Sequence, residues 1–143
     1  MLMLAATLTV FCAARADEIH DAVQDGDIEQ IVQLLTDNPE VIKSANEDGQ
    51  TPLHLAAEGG DLKMMTLLIK FGGDVNARDS DGATPLHVAV DSGNNEAVKA
   101  LVAKGADLNA KNNDGQTPLD IAHDLQQRAK EIVEMLTKQP DKK

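Results

Sequence analysis

Apolar residues recur at helical spacing in two stretches of the chain, Leu62, Met65, Leu68 and Ile69 in the first and Val98, Leu101 and Val102 in the second. Positions three and four apart share one face of an α-helix, so each stretch predicts a helix with one buried stripe. A shorter helix precedes each. Thr51-Pro52 and Thr84-Pro85 open these segments, because a threonine oxygen can cap the first turn and a proline there has no N–H to lose. Gly60 and Gly93 end them within about two turns by supplying a left-handed residue, and Gly72 and Gly105 stop the longer helices.

The pattern repeats with a fixed period. Thr51-Pro52-Leu53-His54, Thr84-Pro85-Leu86-His87 and Thr117-Pro118-Leu119-Asp120 lie 33 residues apart. Each follows a turn, Asp48-Gly49-Gln50, Asp81-Gly82-Ala83 or Asp114-Gly115-Gln116, and Gly72-Gly73-Asp74-Val75-Asn76-Ala77 is answered by Gly105-Ala106-Asp107-Leu108-Asn109-Ala110. With these motifs the chain resembles the ankyrin-repeat family, whose unit reads D-G-x-T-P-L-H-x-A-A-x-x-G, an amphipathic helix, then G-A-D-x-N-A. The resemblance covers about residues 17–138 and implies an all-α solenoid of stacked helix-turn-helix units with hairpin loops. About four repeats are expected, at roughly 17–47, 48–80, 81–113 and 114–138, the outer two serving as caps. One helix pair cannot bury its stripe alone, so the units must stack into a continuous core.

The ends depart from the motif as caps should. The opening unit lacks TPLH but keeps Gly26-Asp27-Ile28 and the apolar Ile31, Leu34 and Leu35, with Asn38-Pro39-Glu40 as a turn one residue longer. Glu18, Asp21 and Gln24 are expected on its exposed side. The last unit has Asp120 in place of His and lacks the mid-repeat Gly. It needs two extra residues before Ile132-Val133 return to the pattern, with Gln126, Gln127, Arg128, Lys130, Glu131 and Glu134 facing water. Residues 139–143 are expected to form a flexible tail.

Ahead of the repeats, Met1 to Ala14 is uncharged, and the sequence turns acidic at Asp17. That stretch is shorter than the roughly 20 residues a membrane-spanning helix needs. It ends in Ala14-Arg15-Ala16, the small-x-small pattern of a leader cleavage site, so residues 1–16 are expected to be a signal peptide. The mature chain would then begin at Asp17, with export to a periplasm or beyond and no membrane insertion afterwards. The alternative is an apolar cap helix on a cytoplasmic protein. Cys12, the only cysteine, lies in this segment, so the mature chain would form no disulfide; the bulky Phe11 before it argues against lipid attachment.

Charge then narrows the partner. The formal net charge is −11, with no basic patch and no aromatic platform for bases, which argues against nucleic acid and against an anionic membrane surface. The resemblance implies a monomeric, non-enzymatic module that binds another protein, without cofactor or metal.

His54 and His87 are the tempting chemical pair. Equivalent positions on stacked helices lie about 8–10 Å apart, whereas zinc–nitrogen bonds are about 2.0–2.1 Å, so the two cannot share one metal. In the resembled family this His bonds within and between repeats. Asp79-Ser80-Asp81-Gly82 has a calcium-loop look, but its Gly falls too early and no Glu closes the ligand set. Phe71, the lone aromatic after the leader, is expected to pack its edge on a neighbouring repeat or to serve as a contact residue.

The family generally binds partners at its hairpin tips and the exposed face of its first helices. In that register Glu58, Asp91 and Asp124 form a ladder at helix ends, and Asp48, Asp81 and Asp114 another at the tips. Asp before Gly is ordinary turn chemistry. The helix-end ladder opposes the macrodipole at about 0.3–1 kcal/mol per carboxylate, so it runs against local stability. The expected binding surface is a concave acidic groove of Glu47, Asp48, Gln50, Glu58, Ser80, Asp81, Asp91, Ser92, Asp114 and Asp124, suited to a basic protein. The competing readings are an exported effector acting on host proteins and, less favoured, an enzyme.

Overall fold

The computed structural model describes residues 17–125 and 130–138. Helix α1 takes residues 17–25, and α2 (Ile28–Asp37) runs into a 3-10 turn at Pro39–Lys43. Three further pairs follow: α3 (Pro52–Gly59) with α4 (Leu62–Lys70), α5 (Pro85–Asp91) with α6 (Asn95–Ala103), and α7 (Pro118–Asp124) with α8 (Lys130–Thr137). The helices α3, α5 and α7 stack as one layer, and α4, α6 and α8 as a second behind it. The expected leader, residues 1–16, lies outside the described residues, as do Gln126, Gln127, Arg128, the side chains of Lys130 and Glu131, and the tail.

Of the inner helices, α3 is buried along most of its length. Pro52 to Ala57 are all buried, because α3 has α4 behind it and an inner helix alongside. Small residues at Ala56, Ala57, Ala89 and Ala122, all buried, let these helices come close together. In the outer layer, Met64, Met65, Leu68, Ala97, Val98 and Leu101 are fully buried, each contributing about 1.5–3 kcal/mol if it is a large apolar side chain. The expected stripe needs one correction. Leu62 is 39% exposed: it is the first residue after the N-cap Asp61 and lies on the side of α4 away from the core, while Met64 takes the buried place.

Polar side chains cap the outer helices and, in one case, join one unit to the next. Asp27 and Asp61 cap α2 and α4, accepting from the amides of Gln30 and of Lys63 and Met64. The equivalent Asn94 is turned to another use, since its Nδ2 donates to the carbonyl of Ala57 at 3.2 Å and to that of Glu58, satisfying the end of the preceding inner helix.

The fingers between units rest on one repeated turn. Asn46 Oδ1 accepts from the amides of Asp48 and Gln50, Asp79 Oδ1 from those of Asp81 and Ala83, and Asn112 Oδ1 from those of Asp114 and Gln116, all at 2.9–3.0 Å. Neighbouring fingers are tied through their backbones, Ser80 N–H to the Asp48 carbonyl at 3.0 Å and Asn113 N–H to the Asp81 carbonyl at 2.8 Å. Gly49 is required on two counts: its φ is +73°, and a Cβ there would meet the Ser80 amide nitrogen at 2.6 Å. Any side chain would push the fingers apart.

Candidate protein-binding groove

A concave depression of about 550 Å³ runs across α3, α5 and α7 and the fingers beside them. Seven of the residues expected at the binding surface line it: Gln50, Glu58, Asp81, Asp91, Ser92, Asp114 and Asp124. Glu47, Asp48 and Ser80 lie outside it, and Asp48 and Ser80 carry the backbone tie between fingers. The lining also includes Asp79, Ala83, His87, Val88, Asn112, Gln116, Ile121 and Leu125. No lysine or arginine is among the lining residues.

The helix-end ladder sits where the register placed it. Asp91 and Asp124 are the last residues of α5 and α7, and Glu58 the next to last of α3. All three are exposed, and neither α3 nor α5 has a basic residue in its last turn to offset the charge. Gln116 Nε2 donates to Asp124 Oδ2 at 3.3 Å, holding the third rung's carboxylate against the finger. Rungs about 10 Å apart repel by only about 0.4 kcal/mol per pair in water, and screening at physiological salt acts over about 8 Å. The ladder tolerates itself while presenting a negative field to whatever enters.

Three residues before each rung stands an apolar one: Leu55 before Glu58, Val88 before Asp91 and Ile121 before Asp124. Leu55 is buried, Val88 and Ile121 are half-buried, and Leu125 beyond them is 39% exposed. In the groove an acidic row therefore runs beside a short apolar one made by Val88 and Ile121.

The histidines are its frame. His54 Nδ1 accepts the Thr51 N–H at 3.1 Å and Nε2 reaches the Ala83 carbonyl at 3.0 Å. His87 repeats this with Thr84 and Gln116 at the same distances. An Nδ1 that accepts an amide N–H is unprotonated, so Nε2 carries the hydrogen and donates to the next finger. Burial lowers both pKa values; the Ala83 carbonyl and Asp79 oppose it at His54, while at His87 the Gln116 carbonyl opposes it and Arg78 adds to it.

His20 makes the corresponding bond to the next finger from the opening unit. It is 4% exposed and its Nε2 bonds the Gln50 carbonyl at 2.9 Å. It lies 34 residues before His54, the extra one being absorbed by the longer turn at Asn38-Pro39-Glu40.

Asp120 closes the series. Its carboxylate accepts from the Thr117 N–H and hydroxyl at 2.8 Å, and these bonds hold its pKa below the usual carboxylate value. A carboxylate makes the local bonds of the histidine but has no ring N–H to donate onward. Asp79 spends one oxygen on two amides, which accounts for its calcium-loop look as turn chemistry. Phe71 caps α4 and remains 37% exposed.

Stacked helix pairs, fingers tied to one another through their backbones and an open groove define a helical-repeat scaffold of the protein-binding class. The chain belongs to the ankyrin-repeat family: the family model described as Ankyrin repeats (3 copies) matches residues 19–112. Ankyrin repeats generally mediate protein–protein interaction as non-catalytic modules. The chain is 39% identical over 59 residues to a fowlpox virus ankyrin repeat protein, FPV240, covering 41% of this chain and 14% of that one. Over 69 residues it is 36% identical to the E3 ubiquitin-protein ligase XBAT33 of Arabidopsis thaliana, covering 48% and 14%. It is 34% identical over 65 residues to the rat ankyrin repeat and SAM domain-containing protein 6, covering 46% and 7%. The chain thus spans a small fraction of the length of these relatives.

Proposed function

We propose that this protein captures a partner protein with a basic surface through the acidic groove and the adjoining hairpin tips. The supporting observation is the lining: six carboxylates, of Glu58, Asp79, Asp81, Asp91, Asp114 and Asp124, converge on one depression whose lining residues include no cation. Such a field speeds the encounter with a positive partner and disfavours a negative one. With Glu58, Asp91 and Asp124 changed together to Gln, Asn and Asn, affinity for the native partner should fall at low salt; an unchanged, salt-independent affinity would overturn the reading.

Export is a separate part of the proposal. It rests on the apolar run and the Ala14-Arg15-Ala16 pattern, and places the interaction in a periplasm or outside the producing cell. Protein purified from its native source should begin at Asp17, and Met1 at its terminus would contradict export. The effector reading shares the fold and groove but requires the protein in a host cell, which fractionation separates.

A further inference from the structure

Two parallel rows cross the inner helices, one apolar and one acidic, and they share the repeat's period. Val88 and Ile121 stand three residues before Asp91 and Asp124 on α5 and α7, and stacked helices lie about 8–10 Å apart. A ligand that satisfies both rows must present two stripes of its own, side by side, each with a step of about 10 Å.

An α-helix does this with a seven-residue period, because it rises about 1.5 Å per residue and so about 10.5 Å per heptad. A residue three or four further on lies on the adjoining stripe. A β-strand does not: at about 3.3 Å per residue the matching step is three residues, which turns the side chain to the opposite face.

From this, and resting on the acidic-groove reading above, we infer that the partner's docking element is a cationic amphipathic helix lying along the stack. Its basic residues, one per heptad, face Glu58, Asp91 and Asp124. Its apolar residues, three or four positions on, cover Val88 and Ile121, and its apolar end sits on Leu125, the most exposed apolar residue of the lining at 39%. The anchor lies at the α7 end, where Leu125 joins Ile121 in the lining. Charge complementarity selects this occupant: the groove is acidic and its lining holds no cation.

The test uses the full chain and two synthetic peptides of one composition. In the first, helix-forming, Lys recurs at every seventh position with Leu three residues after each, on an Ala and Gln background. In the second the same residues are rearranged so that Lys and Leu alternate. By fluorescence anisotropy at low salt the heptad peptide should bind at least tenfold tighter, and Leu125→Ser, a change at an exposed site, should reduce that preference to within about threefold. Equal binding of the two peptides would overturn the helical inference while leaving the acidic groove standing. Binding of neither would count against both.

Discussion

Alanine at His54 or at His87 is expected to lower the unfolding free energy by roughly 3–5 kcal/mol, since each orphaned buried group costs about 1–3 kcal/mol and a cavity is added. His87 is 1% exposed and stands between Thr84 N–H and the Gln116 carbonyl. Its removal leaves a helix cap and a finger carbonyl without partners at once. His54 does the same between Thr51 and Ala83. Against a total stability of about 5–15 kcal/mol for an ordinary domain, such a loss is a large part of the whole. Urea denaturation of the two variants measures it directly. A loss below about 1 kcal/mol would mean that the inter-repeat bonds are ornamental. Asp120→Ala should cost less, because Asp120 is exposed and bonds only Thr117.

Stability is also expected to fall as the pH drops from about 7.5 to 5.5. Burial depresses the pKa of both His54 and His87 in the folded protein, while in the unfolded chain each titrates near 6.5. The unfolded state therefore binds more protons in this window, and stability rises with pH. The contribution of each imidazole is complete above the unfolded pKa. It is lost progressively as the pH falls from there towards the depressed folded value. Protonation of Nδ1 would set its hydrogen against the N–H of Thr51 or Thr84, which is the local event behind the loss. Urea midpoints at three pH values, with NMR titration of the histidine rings, provide the measurement. Midpoints that stay level, or rings that titrate at or above 6.5, would contradict this account.

These two expectations rest on features of unequal visibility in the sequence. The period of 33 between the three TPL motifs is exact, so the stack, its turns and its helix starts can be read from residues alone. His20 escapes the same search because the longer turn at Pro39 shifts it to a spacing of 34; allowing one residue of slack, and noting that caps lack the motif, would have found it. The turn row Asn46, Asp79, Asn112 is visible at spacing 33 as well, but a mixture of Asn and Asp hides that each does the same work, accepting two amides with one oxygen.

Leu62 shows a different limit. Helical spacing assigns it to the buried stripe, yet a residue just past an N-cap is placed by the direction in which the helix enters the stack, and periodicity carries no information about that. The groove was legible as two acidic ladders, but its composition was only half legible. Register alone identified Glu58, Asp91 and Asp124. The half-buried Val88 and Ile121 beside them drew no assignment from sequence, because they belong to no turn or cap motif and partial exposure is a property of the packed stack. Asp48 and Ser80 show the converse: polar tip residues whose backbones bond finger to finger, outside the depression.

If the groove selects its partner by charge, as proposed, affinity for the native partner must depend on salt. Three exposed ion pairs at about 0.2–1 kcal/mol each correspond to roughly a threefold to hundredfold change in Kd. Wild-type affinity should weaken within that range as salt rises from about 50 to 500 mM. The protein with Glu58→Gln, Asp91→Asn and Asp124→Asn should start weaker and show a flatter dependence on salt. Two parallel curves of equal affinity would show that the carboxylates merely keep the protein soluble.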